Sequence, residues 1–274
     1  MKKSNPLFLI TLASICISIS SCNRSAKEPT HEYLVFVLLD DNTYGVSGCR
    51  PFDGGNVVVP EKFNHKPVTR ILERAFVDVN ENLISVELPE SIVSIGRFAF
   101  NGCYHLASIN LPNSILAIGE YAFWHCWSLQ SITLPNKITY LPEALFEECR
   151  SLCSINIPEN VTYIDHYAFQ ECTVLETITL PRGITSLGGR SFAGCHSLSS
   201  INIPSGVETI LSGAFEFCES LPSITIPLSV ISVGFYTFYG CESLTINCEA
   251  ESMPSGWDAQ WNPHNRPVNW GFKG

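Results

Sequence analysis

Apolar residues recur along this chain with a period of 23 positions. Between Val68 and about residue 248 they follow the pattern I-x-x-I-x-x-x-A-F-x-x-C-x-x-L-x-x-I-x-I/L-P. Regular copies begin near Ile92, Ile115, Ile138, Val161, Ile184, Val207 and Val230; a degenerate copy, one residue longer, begins at Val68. Alternation, as in Ile201 and Ile203 after Leu198, predicts a short half-buried strand. The proline that follows (Pro112, Pro135, Pro158, Pro181, Pro204, Pro227) has no N–H to continue a ladder and ends it. The next I/V-x-x-I turns the chain inward again. The A-F-x-x-C segment has near-helical spacing and no β-branched run, which predicts a short helical or 3₁₀ turn on the opposite side. One such coil leaves two open apolar faces, and stacking covers both. At ~4.8 Å per strand, eight coils make a slab on the order of 40 Å long. The expected fold is an α/β solenoid with a parallel sheet on one face and short helical turns on the other.

This pattern resembles the BspA-type leucine-rich repeat, a bacterial cell-surface branch of the leucine-rich-repeat family. The L-x-x-I-x-I-P strand is present in repeats two to seven, and A-F-x-x-C is complete in four. The alanine column departs at Leu145, Ser191 and Thr237, and the last repeat loses a residue at "SLTINC". The resemblance spans residues 68–248 and implies a leucine-rich-repeat solenoid. It also implies adhesion or recognition of host proteins, partner cells or glycans.

The flanks read as caps. In 32–67, "YLVFVLLDDNTYGV" predicts strand, turn and strand, and "VVVP" at 57–60 mimics the repeat strand. Residues 249–274 hold Trp257, Trp261 and Trp270 among prolines and glycines. Caps keep an open sheet edge from pairing with other chains.

Residues 1–21 have the form of a signal peptide. Lys2 and Lys3 precede a 13-residue apolar run, Leu7 to Ile19, too short to span a bilayer as a helix. Ile19-Ser20-Ser21-Cys22 resembles a bacterial lipobox. That resemblance implies cleavage before Cys22 and acylation of its thiol, and two or more acyl chains anchor stably. Residues 22–31 then form a polar tether. The expected location is the bacterial envelope, as a surface-exposed outer-membrane lipoprotein, with a periplasmic structural or assembly role as the alternative.

Composition narrows the partners. The net charge is −10, only 15% of residues are charged, and no Lys/Arg cluster follows the first residues. A footprint for phosphate backbones is missing, so nucleic acid is excluded as a partner. A monomer with a protein or glycan ligand is expected, with no cofactor and no metal.

Seven cysteines, Cys103, Cys126, Cys149, Cys172, Cys195, Cys218 and Cys241, repeat every 23 residues. A metal needs four converging ligands, and one thiol per coil along a line does not converge. Stacked thiols ~4.8 Å apart with parallel Cβ vectors suit disulfides poorly. Phe and Leu neighbours raise a thiol pKa and make it inert. Packing of a small buried hydrophobe is the reading that remains. No nucleophile motif, P-loop or HExxH appears, so the protein is not expected to be an enzyme.

Two surfaces are candidates for binding. The outward strand positions carry hydroxyls and amides, among them Ser108, Asn110, Ser131, Thr133, Ser154, Asn156, Thr177 and Thr179. They form either a solvated face or a flat polar surface for a glycan or extended protein. On the other side, Tyr121, Trp124, His125 and Trp127 crowd one coil. Aromatics with a polar edge suit a binding hot spot, and equally suit covering the seam between coils.

Overall fold

The computed structural model describes residues 32–79 and 81–274. The signal peptide, Cys22 and the tether to residue 31 lie outside the described residues. The described chain forms a solenoid of about ten turns, which includes the eight repeats. Parallel pairs such as Tyr140↔Tyr163, Tyr163↔Ser186, Ser186↔Thr209 and Thr209↔Ser232 advance by one repeat each.

Each coil contributes to two parallel sheets. The first sheet is built from the L-x-x-I-x-I segments, including Leu83–Glu87, Ser108–Ile109, Ser131–Thr133, Ser154–Asn156, Thr177–Ile178, Ser200–Ile201 and Ser223–Ile226, which pair in four separate groups along the stack. The second comes from the I-x-x-I segments, whose last two residues pair coil to coil, as in Ser94–Ile95, Ala117–Ile118 and Tyr163–Ile164. The sequence reading expected only an inward turn there. Pairing in the second sheet is interrupted between Ala117–Ile118 and Tyr140–Leu141. Gly119 N–H donates to Ile95 O (2.8 Å) and Asp165 N–H to Leu141 O (2.9 Å), but the equivalent position between them is Pro142, which has no N–H.

The third side corrects an expectation. The A-F-x-x-C segments are not helical: Val77–Val79 is the one helical element among the described residues, a single 3₁₀ turn. Alternate N–H groups leave the coil. Phe98, Phe100 and Gly102 donate to the carbonyls of Glu120, Ala122 and Trp124 in the next coil, at 2.7–3.0 Å. Only Ala99, Asn101 and Cys103 bond three residues back within their own coil. The chain achieves this by entering the left-handed region twice per coil, at Tyr121 (φ 58°) and His125 (φ 61°), for example, and at Tyr167 (φ 60°) and Glu171 (φ 57°). A helix has no such positions, since left-handed φ breaks its ladder. A third hydrogen-bonded ladder therefore replaces the helical turns.

Inside, Phe76, Phe100, Phe123, Phe146, Phe169, Phe192, Phe215 and Phe238 form one buried spine. Neighbouring ring centroids lie 4.8–5.7 Å apart and the planes are within 21° of parallel. Leu145, Ser191 and Thr237 occupy the alanine column fully buried; Thr237 Oγ1 donates to Gly234 O (2.7 Å). Close approach between coils is tightest at the glycine ending the second-sheet strand. A Cβ on Gly188 would lie 2.3 Å from the Asp165 carbonyl carbon.

Both ends of the spine are covered. Strand Leu34–Leu38 pairs antiparallel with Tyr44–Cys49, which joins the second sheet through Lys66–Ile71. At the other end the Trp261 ring meets Phe238 edge-on (5.9 Å), and Trp257 Nε1–H donates to Val230 O (3.1 Å). No helix among the described residues is long and apolar enough to cross a membrane.

Phe169→Ala is expected to cost about 3–5 kcal/mol of stability, because it leaves a gap with a ring on either side. Thr179→Ala, on the exposed face, is expected to change stability by less than about 0.5 kcal/mol. Urea unfolding of the two variants beside the parent checks the contrast.

Candidate functional site

The strand period of two sends every second side chain of the first sheet outward, as in Ser131–Thr133, where Ile132 is buried between two exposed residues. Ser108, Asn110, Ser131, Thr133, Ser154, Asn156, Thr177 and Thr179 are all exposed on this sheet. The first four, with Glu87, line one shallow groove of about 460 Å³. Asn110 is committed to the fold. Its Oδ1 accepts from Leu88 N–H (2.7 Å) and its Nδ2 donates to Leu88 O (2.9 Å). Asn202 makes the same pair of bonds to Leu180. These two side chains stitch coils together, so the hydroxyls and the Asn156 amide are the groups left to meet a ligand.

Tyr121, Trp124, His125 and Trp127 do come together on the turn side, joined by Phe98 and Tyr104. Phe98 stacks on Tyr121 (4.8 Å), Trp124 lies 4.4 Å from His125, and Tyr104 lies 4.3 Å from Trp127. Charged groups that the sequence reading did not place complete the cluster. Arg97 sits 4.7 Å over Phe98 and pairs with Glu120 (3.0 Å). His125 Nε2 and Arg150 share Glu148, at 3.2 and 2.7 Å, and the Arg150 guanidinium lies 5.1 Å over the Trp127 ring. The signal for all of these was the 23-residue column: Arg150 is one repeat after Trp127, and Glu148 one repeat after His125.

The cluster divides by exposure. The Tyr121 hydroxyl donates to Glu143 Oε1, and burial, with that carboxylate next, pushes the phenol well up. Trp124 is half-buried, with its Nε1–H unpartnered inside the seam. Trp127 remains 38% exposed, at the corner four residues before strand Ser131–Thr133. It therefore stands on the rim of the hydroxyl face, while its neighbours cover the seam. In the coil after Trp124, burial and then repulsion from Glu148, Glu143 and Glu171 push Glu147 up to about 7.

The cysteine column has a role the sequence reading missed. All seven thiols are fully buried, and no disulfide joins any of the ten cysteines among the described residues. From Cys126 onward each Sγ–H donates to the phenylalanine carbonyl of the preceding coil, at 3.0–3.3 Å; Cys103 reaches Phe76 O at 3.8 Å. Desolvation raises every one of these thiols; Cys241, the last, rises to about 12. None of these seven thiols is therefore a thiolate nucleophile near neutral pH. Among the described residues, no group of three or more His, Cys, Asp or Glu side chains could hold a metal ion.

One cavity was not anticipated. It measures about 280 Å³ and lies between Tyr167 and Tyr236 on the turn side. The signal was again in the columns, where Gly189, Ser212 and Gly213 replace the larger side chains of other coils.

Two outcomes are expected. Iodoacetamide should label Cys153, which is half-buried, well before any of the seven column thiols, as read by mass spectrometry of the folded protein. Glu147, raised from its unfolded value of 4.5, binds more protons folded than unfolded. Its contribution therefore makes stability fall as pH rises from 4.5 through about 7. Glu147→Gln should flatten that slope in denaturant midpoints measured at about pH 5 and about pH 8.

Comparison with known proteins agrees with this geometry. The family model described as "BspA type Leucine rich repeat region" matches in six copies, over residues 69–199 and 162–253. The crystal structure of the T. pallidum leucine-rich-repeat protein TpLRR is 32% identical, with a TM-score of 0.65 over 72% of this chain and 91% of that one. A leucine-rich cell surface protein from Faecalibacterium prausnitzii A2-165 is 29% identical, with a TM-score of 0.53. The match covers 82% of this chain and 55% of that one, so the chain accounts for about half of that protein's length. No curated protein matches. The eight-membered phenylalanine column, the seven-membered cysteine column, the coil geometry and these matches together show that the chain belongs to the BspA-type leucine-rich-repeat family.

Proposed function

We propose that this protein is a non-catalytic lipoprotein of the bacterial cell envelope, held by Cys22. Its solenoid acts as an outward-facing binding and adhesion scaffold for extracellular proteins or glycans. The observation that carries the reading is the first sheet: an exposed, almost uncharged face of hydroxyls with Trp127 on its rim. Backbone hydrogen bonds between coils and the buried phenylalanine spine hold that face in place, so binding loses little conformational entropy. An exposed indole beside a polar surface is the residue type that anchors interfaces. Leucine-rich-repeat proteins of this kind are typically non-catalytic, and one similar structure is of a cell surface protein. The buried thiols leave the interior without a reactive group, which fits a scaffold.

Cells displaying the full chain should adhere to immobilised host-surface proteins or glycans. Trp127→Ala should reduce that adhesion by roughly tenfold or more while leaving display unchanged. Adhesion equal to that of cells lacking the protein, across broad protein and glycan panels, would contradict the proposal.

A further inference from the structure

The cavity between Tyr167 and Tyr236 arises from a gap in two columns. One column runs Arg97, Glu120, Glu143, His166, Gly189, Ser212, Phe235; the next runs Phe98, Tyr121, Ala144, Tyr167, Arg190, Gly213, Tyr236. In the early coils, large side chains on these columns stack on one another, as Phe98 does on Tyr121. From Gly189 to Gly213 only Arg190 is large. Tyr167 and Tyr236 are three coils apart, on the order of 14 Å along the stack. Arg190 lies across part of that interval, its Cγ 3.0 Å from where a Cβ on Gly213 would sit, and the open space is the cavity beside it.

The walls and floor differ in chemistry. Phe235 is 50% exposed and Tyr236 38% exposed, and their rings stand nearly perpendicular (78°, centroids 5.5 Å apart), which makes an exposed apolar corner at one side. Arg190 Nε pairs with Glu216 Oε2 (3.1 Å), and the Glu216 side chain is largely buried. That pair carries no net charge. It keeps the terminal guanidinium nitrogens and the second carboxylate oxygen for hydrogen bonds. His166 Nδ1 accepts from Gly189 N–H (3.1 Å), which puts the proton of the neutral ring on Nε2, a further donor. A volume of about 280 Å³ lies at the small end of ligand pockets. It holds one ring-sized group and not a folded surface.

Paired donors and acceptors beside aromatic faces match a molecule with adjacent hydroxyls on one side and C–H groups on the other. The floor's charge balance disfavours an anion or cation. We propose that this cavity binds a neutral pyranose unit of a glycan. Phe235 packs on the sugar's C–H face, the Tyr236 ring stands at its edge at 78° to Phe235, and Arg190 and Glu216 bond its hydroxyls. The proposal rests on the reading of the protein as a binding scaffold, and names one ligand class and a site away from the hydroxyl face.

Saturation-transfer NMR on the full chain in detergent tests it, with methyl glucoside, methyl galactoside, methyl mannoside and methyl N-acetylglucosaminide as neutral probes. Methyl glucuronide and an aromatic tripeptide serve as comparators. At least one neutral glycoside should receive saturation at its ring protons. Arg190→Met should weaken that binding about ten- to a hundred-fold, and Phe235→Ala about fivefold. Phe235 is exposed, so the Phe235→Ala midpoint should hold; Arg190→Met leaves the largely buried Glu216 unpaired and should lower the midpoint, so binding by that variant is read at a temperature where circular dichroism shows it folded. Binding unchanged in both variants, binding of the glucuronide or the peptide alone, or no binding at all overturns the site. Trp127-dependent adhesion that persists in that case leaves the scaffold reading standing, so the two failures are distinguishable.

Discussion

The stacking of one coil on the next through the phenylalanine spine is the constraint on which everything else depends. A ring spacing of 4.8–5.7 Å fixes the distance between coils, and the backbone ladders are built to the same step. Each phenylalanine carbonyl from Phe100 to Phe215 receives the thiol of the following coil, which ties the cysteine column to the same step. Cysteine fits because it is small, apolar enough to be buried, and still a weak donor. Alanine would pack there without donating. Serine would bring a costlier polar group into a dry column.

Rigid stacking dictates how this chain can vary. Inward positions repeat almost without change, whereas outward positions carry residues that packing does not demand. Where a local choice breaks the pattern, the ladder reports it. Pro142 interrupts the second sheet, and Asn110 and Asn202 replace backbone partners of the first sheet with side-chain bonds. The candidate surfaces follow from the same rule. Trp127 is displayed because its column lies at a corner, and the Tyr167–Tyr236 cavity is lined where Gly189, Ser212 and Gly213 put small residues in columns that carry larger ones elsewhere.

The inward columns were legible in the sequence, because burial leaves a strict apolar period and proline marks each strand end. The A-F-x-x-C turns were not. Their spacing resembles a helix, but Tyr121, His125, Tyr167 and Glu171 adopt left-handed φ, which these residue types do not announce. The second sheet was hidden for a related reason: its strands, such as Ser94–Ile95, are two residues long and show no alternation. At the candidate sites, the outward hydroxyls and the aromatic residues could be named, but not which were already engaged. Asn110 looks like a ligand contact until its two bonds to Leu88 are seen. Arg150 over Trp127, and the empty columns beside Arg190, become visible only when residues 23 apart are placed side by side.

In this account, inward columns build a rigid platform and outward columns face the cell's surroundings. Labelling of intact cells with a membrane-impermeant amine-reactive biotin tests that claim most directly. The solenoid carries exposed Lys62, Lys137 and Lys273 and does not depend on a cleavable loop to be detected. The account predicts that these lysines are labelled on intact cells to the same extent as after lysis. Labelling that appears only after lysis would place the platform facing inward and contradict it.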